Sequence, residues 1–256
     1  MSRRIVFACA LCALLLPTTV TAQEEEAVTP PYSYGTYFEC DTSREWLADE
    51  LFEKHMAPHY DAAVEEGALT AWGYLAHHTG GKWRRLIWRA APTLSEAMAS
   101  VGAVAQRSAQ NPAAGGAGRV WGEICNSHED YIWQSVAGSS GGSVTEERGK
   151  VGFSAYYICD ENRETEADDL VKEKLAPIYD AQVEAGNLVS WGWMQHWVGG
   201  KYRRISTMSA KDADTLMAAR DSIVASMIDM EEVGEEFSSI CGSHTDYIWN
   251  IRIETQ

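Results

Sequence analysis

Apolar residues Trp46, Leu47, Leu51, Phe52 and Met56 recur at helical spacing, which predicts a helical stretch over residues 45–66. The pattern returns over residues 164–185. Pro58 and Pro177 fall inside these stretches and predict a kink or a break into two helices, and Gly67 and Gly186 end them. Each helical stretch follows a short aromatic strand that runs into Cys-Asp, at 36–41 and at 153–160. After each come two strand-like runs around adjacent glycines. Residues 69–77 and 82–89 flank Gly80-Gly81, and residues 188–196 and 201–208 flank Gly199-Gly200. Paired glycines supply the positive φ angles that tight hairpins need. A second helix is predicted near 94–110 and 210–230, with Thr93 or Ser95, and Ser209, as N-caps. A last strand covers about 128–136 and 244–253.

The pattern repeats because the residues do. Residues 58–85 and 177–204, offset by 119, are identical at 16 of 28 positions. CNSHEDYIW at 125–133 returns as CGSHTDYIW at 241–249. A unit of about 100 residues is far longer than a solenoid repeat, so each copy reads as a domain. The order within a copy is β-α-β-β-α-β, the ferredoxin-like arrangement, in which the first and last strands are antiparallel neighbours.

Residues 1–22 read as a cleaved export signal: Arg3 and Arg4, an apolar run from Ile5 to Leu16, and the small-residue site Val20-Thr21-Ala22. Residues 23–34, with three glutamates and Pro30-Pro31, read as an exposed leader. These features point to a periplasmic or extracellular protein with no membrane insertion after cleavage. Signal removal leaves Cys40, Cys125, Cys159 and Cys241, an even number that argues for disulfides in an exported chain. The repeat favours Cys40–Cys125 and Cys159–Cys241, and the topology brings both pairs together. Zinc binding is the competing reading, which single, widely spaced cysteines disfavour.

The net charge is −16, and without Arg3 and Arg4 the chain has 19 basic against 37 acidic residues. So acidic a protein is not built to bind nucleic acid or anionic membranes through bulk electrostatics. Its charge suits solubility.

With this topology, repeat length and duplication, the chain resembles the dimeric α+β barrel superfamily. The resemblance implies two ferredoxin-like repeats, 35–136 and 151–256, packed sheet to sheet as an intrachain pseudo-dimer. Residues 137–150, rich in glycine and serine, would be a flexible linker. Members include small-molecule monooxygenases, haem-degrading and haem-peroxidase-like enzymes, dehydratases and proteins of unknown activity. The resemblance names no substrate, cofactor or protein partner.

Alternation along the second strand puts Trp72 and Tyr74, with Trp191 and Trp193, on one face. Ala71, Gly73 and Leu75 take the other, which suits close packing under helices. The aromatic face would then line the space between the sheets. It either fills the barrel or forms a pocket for a small, flat, apolar ligand. His77, His196, His128 and His244 are the histidines shared by both copies. They are candidates for proton transfer or for a haem or metal site, or else local strand caps. Arg84 and Arg203, followed by Arg85 and Arg204, lie on the third strand. One of each pair would point inward, to bind a carboxylate, to pair with Asp130 or Asp246, or to anchor a structural ion pair. Tyr60-Asp61 and Tyr179-Asp180 read as packing and capping pairs. His55 and His59 have helical i, i+4 spacing, but Pro58 intervenes and Lys174 and Ile178 replace them in the second copy, so no metal site is assigned.

No Gly-rich phosphate loop, HExxH, GxSxG or CxxCH occurs. Two readings remain. One is an exported small-molecule-binding barrel, oxygenase-like or haem-linked; the other is a non-catalytic structural or interaction protein of the cell envelope. Whether it is an enzyme is open at this stage.

Overall fold

The computed structural model describes residues 31–140 and 149–255, so residues 1–22, read above as an export signal, most of 23–34 and residues 141–148 lie outside it. The first repeat runs β1 (Tyr32–Glu39), α1 (Glu45–Leu51), α2 (Ala57–Glu65), β2 (Ala71–Gly80), β3 (Arg85–Ala91), α3 (Leu94–Gln110), α4 (Pro112–Ile124) and β4 (Ser127–Ser140). The second runs β5 (Val151–Ile158), α5 (Glu164–Leu170), α6 (Ala176–Glu184), β6 (Ser190–Val198), β7 (Arg204–Ala210), α7 (Ala213–Asp229), α8 (Glu231–Ile240) and β8 (Ser243–Glu254). All eight strands close into one antiparallel barrel in the order β1-β3-β2-β8-β5-β7-β6-β4. The first and last strands of each repeat pair, as the topology requires. The halves are therefore fused edge to edge, β2 with β8 and β4 with β6. Both disulfides form within a repeat, Cys40–Cys125 and Cys159–Cys241.

Several boundaries differ from the sequence reading. The leader's last residues, from Tyr32, already belong to β1, which pairs with β3 and β4. The linker's first residues, 137–140, continue β4 along β6, and Lys150 hydrogen-bonds to Ala210 beside β5. The first helical stretch breaks before its proline. Phe52–Met56 and Val171–Leu175 are single π-helical turns between α1 and α2 and between α5 and α6. Pro58 and Pro177 then sit in the first turn of the next helix, where a missing N–H costs nothing. Thr93 caps α3 through a full capping box with Glu96, whereas Asp212, not Ser209, caps α7. With the first helical stretch split and the extra helices α4 and α8, each repeat is β-α-α-β-β-α-α-β. Asn111 opens α4 by accepting from the N–H groups of Ala113 and Ala114, ahead of Pro112.

The hairpin glycines work across the barrel. Gly80 has φ +130° and Gly199 φ +146°, and a Cβ at either would run into β8 or β4 of the other repeat. The tip of each hairpin thus fits against the other repeat's last strand, which closes the pseudo-dimer.

Candidate functional site

The second strand faces opposite to expectation. Trp72, Tyr74, Trp191 and Trp193 point out of the barrel, under the helices. The reason is chemical: each carries a polar handle that a helical carboxylate can satisfy. Trp72 Nε1 donates to Asp61 at 3.0 Å and the Tyr74 hydroxyl to Asp49 at 2.8 Å. In the second repeat, Trp191 donates to Asp180 at 2.7 Å and Trp193 to Asp168 at 2.8 Å. Gly73 faces inward because the Trp88 indole lies against it, where any side chain would collide.

The barrel interior is filled by other rings. Tyr131 stacks on Trp133 with centroids 5.0 Å apart, and Tyr247 on Trp249 at 5.0 Å, with Tyr37, Trp83, Tyr156 and Tyr202 packed among them. A cavity of about 260 Å³ remains at one end, lined by Trp88, Trp133, Met194, Ile205 and several serines. No histidine or arginine lines it.

Arg84 and Arg203 do not enter the barrel either, so of the two readings for the third-strand arginines, an inward carboxylate site or a structural ion pair, the structure has the ion pair. Arg84 Nε binds Glu45 at 2.5 Å and its Nη1 lies 2.6 Å from His77 Nδ1; Arg203 does the same with Glu164, at 2.5 Å, and His196, at 3.0 Å. Arg85 and Arg204, both 3% exposed at the side chain, grip Asp49 and Asp168 through paired Nε and Nη2 bonds of 2.6–2.9 Å. Partial burial, reinforced by the neighbouring arginine, pushes the His77 and His196 imidazoles below their ordinary range. Each imidazole accepts from arginine through Nδ1 and is neutral. Neither lines the barrel cavity or the cavities under the helices, and both belong to a clamp that ties the third strand of a repeat to its first helix.

The two remaining histidines stand elsewhere. Between the sheet and α7–α8 of the second repeat lies a cavity of about 250 Å³. Trp191, Trp193, Tyr157, Met208, Met227 and Phe237 wall it, and Arg220, His244 and Asp246 line it as well. His244 Nε2 is 3.5 Å from Asp246 Oδ1, an oxygen that is buried without a hydrogen bond. The Arg220 guanidinium stacks 5.2 Å above Phe153. Burial pushes the Tyr157 hydroxyl up, so it is neutral and protonated.

The first repeat has a matching cavity of about 440 Å³ under α3 and α4, with His128, Asp130 and Arg89 in its lining. His128 Nε2 is 3.4 Å from Asp130. Trp72 and Tyr74 are not in this wall, and the ring that sets the repeats apart is Phe52, stacked 4.0 Å over Tyr74; Tyr60 over Trp72, at 4.7 Å, is matched by Tyr179 over Trp191, at 4.9 Å. Phe52 has Val171 as its counterpart, and the missing ring is what leaves Trp193 facing open space.

The structure therefore gathers His244, Trp191 and Trp193 at one cavity and His128 at its twin. It sets His77, His196, Arg84 and Arg203 apart, and buries Trp72 and Tyr74 in packing. Sequence reasoning missed Arg220 and Phe237, and it offered Asp130 and Asp246 as partners for the third-strand arginines, where the structure sets them beside His128 and His244. As for haem, an axial ligand must aim from the wall at the cavity centre. His128 and His244 instead turn Nε2 toward a carboxylate, with side chains 50% and 47% exposed. A carboxylate beside one ring nitrogen also accompanies ligating histidines, so it is the half-exposed position that does not fit an axial ligand. Among the described residues, no group of three or more His, Cys, Asp or Glu could hold a metal ion.

No family model and no curated protein matches the chain. Solved structures do. A candidate monooxygenase from Fusobacterium nucleatum superposes with TM-score 0.62 at 10% identity, over 89% of this chain and 95% of that one. Another from Lactobacillus acidophilus gives 0.60 at 9% identity, over 89% and 96%. A chlorite dismutase variant from Candidatus Nitrospira defluvii gives 0.52 at 10% identity, over 88% and 92%. The chain thus has the dimeric α+β barrel fold, with both ferredoxin-like halves on a single polypeptide.

Proposed function

We propose that this is an exported, oxygenase-like protein that binds a small, flat, apolar molecule in the helix-side cavity of its second repeat. The observation that carries the reading is the cavity of about 250 Å³, whose aromatic walls meet one His–Asp pair and one arginine. Apolar pockets with a few convergent polar groups are the usual form of small-molecule sites. Trp191 and Trp193 are held rigidly, since their N–H groups are tied to α6 and α5 and only ring surface is left for the ligand. His244, backed by Asp246, is the group placed to take a proton from an acidic hydroxyl on that ligand. The likeness to monooxygenase candidates supports this reaction class at the level of fold alone. Two disulfides, and the lack among the described residues of any helix long and apolar enough to cross a membrane, are compatible with export.

Native mass spectrometry of protein from its own host should show a retained small aromatic molecule. In titrations, a neutral aromatic such as 1-naphthol should quench tryptophan fluorescence. Val171→Phe installs the ring that the first repeat carries at Phe52 and fills the cavity. The variant should fold and lose the quench. An unliganded mass together with no quench, or a quench untouched by Val171→Phe, would favour a non-catalytic envelope protein instead.

A further inference from the structure

Arg89 in β3 is the unusual charge of this protein. It is 4% exposed, and among the described residues the one hydrogen bond of its guanidinium runs from Nη2 to Thr36 Oγ1. The guanidinium lies 4.9 Å over the Tyr34 ring, and Nε is buried with no partner. No carboxylate among the described residues lies within ion-pair distance of it, in contrast to Arg85, which Asp49 grips with both oxygens. A buried charge left unpaired is costly unless something supplies the counter-charge.

Arg89 lines the helix-side cavity of the first repeat, about 440 Å³, within the range of small-ligand pockets. The rest of that wall is mostly apolar, with Phe38, Ile87, Val104 and Trp121 around it. Asp130 also lines it, and its nearest charged-type neighbour is His128, with Nε2 at 3.4 Å, rather than Arg89. The second repeat has no such feature. Met208 stands where Arg89 would be, and the arginine there comes from α7 as Arg220, whose side chain is 31% exposed. Water can screen Arg220 but not Arg89.

We propose that the first-repeat cavity binds a monocarboxylate with an apolar body, its carboxylate paired with Arg89 and its body against Trp121 and Val104. Planar guanidinium and carboxylate match in two parallel hydrogen bonds, and Nε is the donor left free for one of them. The site is independent of the second-repeat reading, which concerns a neutral aromatic ligand in another cavity.

The test is calorimetric titration of the purified protein with octanoate and 1-naphthoate, beside octanamide and 1-naphthamide as neutral counterparts. The acids should bind, and the amides should bind at least about tenfold more weakly, as befits a lost charge-assisted bond. Arg89→Met, which copies Met208, should abolish acid binding and melt no lower than the parent. Gly118→Leu adds bulk from α4 into open space in the cavity lining and leaves Arg89 intact. It should also abolish binding. Acids that do not bind, acids and amides that bind alike, or acid binding that survives either variant would overturn the proposal.

Discussion

Replacing Asp168 by alanine is expected to lower the unfolding free energy by about 3–5 kcal/mol. Asp168 accepts two bonds from Arg204 and one from Trp193, so its loss leaves a guanidinium that is 3% exposed with Glu164, at 3.0 Å, as its remaining carboxylate and orphans an indole N–H. Asp49→Ala should do the same to Arg85 and Tyr74 in the first repeat. Urea unfolding at pH 7 measures both. The double replacement Asp168→Leu with Arg204→Met should recover most of the loss, because the penalty comes from the uncompensated charge. A single variant costing less than about 1 kcal/mol would mean that water reaches Arg204.

The same clamp sets an acid limit. Partial burial raises Glu45 and Glu164, but hydrogen bonds and charge from Arg84 and Arg85, or from Arg203 and Arg204, outweigh it and hold both carboxyls below the ordinary range. A folded value below the unfolded one, near 4.3, means stability present above that pH and lost as the pH falls through the folded value. His77 and His196 are also depressed, so below about pH 6.5 the unfolded chain takes protons first. The urea midpoint should therefore fall in two stages on acidification, first through the histidines and then through the glutamates.

Removing a disulfide is the second large effect. Cys159 and Cys241 are 82 residues apart and Cys40 and Cys125 are 85 apart. Loops of this length predict about 4–5 kcal/mol of stabilisation, chiefly through a restricted unfolded chain. Cys159→Ser with Cys241→Ser should lose about that much, and losing both bonds should leave a chain that does not hold its fold at 37 °C. Each bond joins the ends of two neighbouring strands, so calorimetry should show the loss in midpoint more than in the native far-UV spectrum. Full stability after reduction of both bonds would show that the barrel core carries the fold alone.

Much of the fold was legible because both copies state it. The repeat picked one disulfide pairing, and strand order followed from helix stops and Gly-Gly turns. The strand face was not legible. Alternation shows that Trp72 and Tyr74 share a face but not which side is the core, and here both faces of β2 are buried from Trp72 to Ala76. The partners that decided it, Asp49, Asp61, Asp168 and Asp180, are themselves repeated, so Trp and Asp eleven positions apart in both copies was the overlooked signal. Helices α4 and α8 were hidden by divergence, since Gly115, Gly116 and Gly118 weaken the helical pattern in one and Glu231 and Glu232 open the other. Val171 and Arg89 were invisible to any comparison that looks for identity. What separates the two cavities is where the copies differ, Phe52 against Val171 and Arg89 against Met208.

The proposed ligand site lies between sheet and helices, outside the barrel. Crystals soaked with a brominated neutral aromatic, such as a bromonaphthol, locate it directly through the anomalous signal of bromine. The peak should fall in the second repeat among Trp191, Trp193 and Phe237, within reach of His244. A peak inside the barrel, beside Trp88 and Met194, would contradict the account.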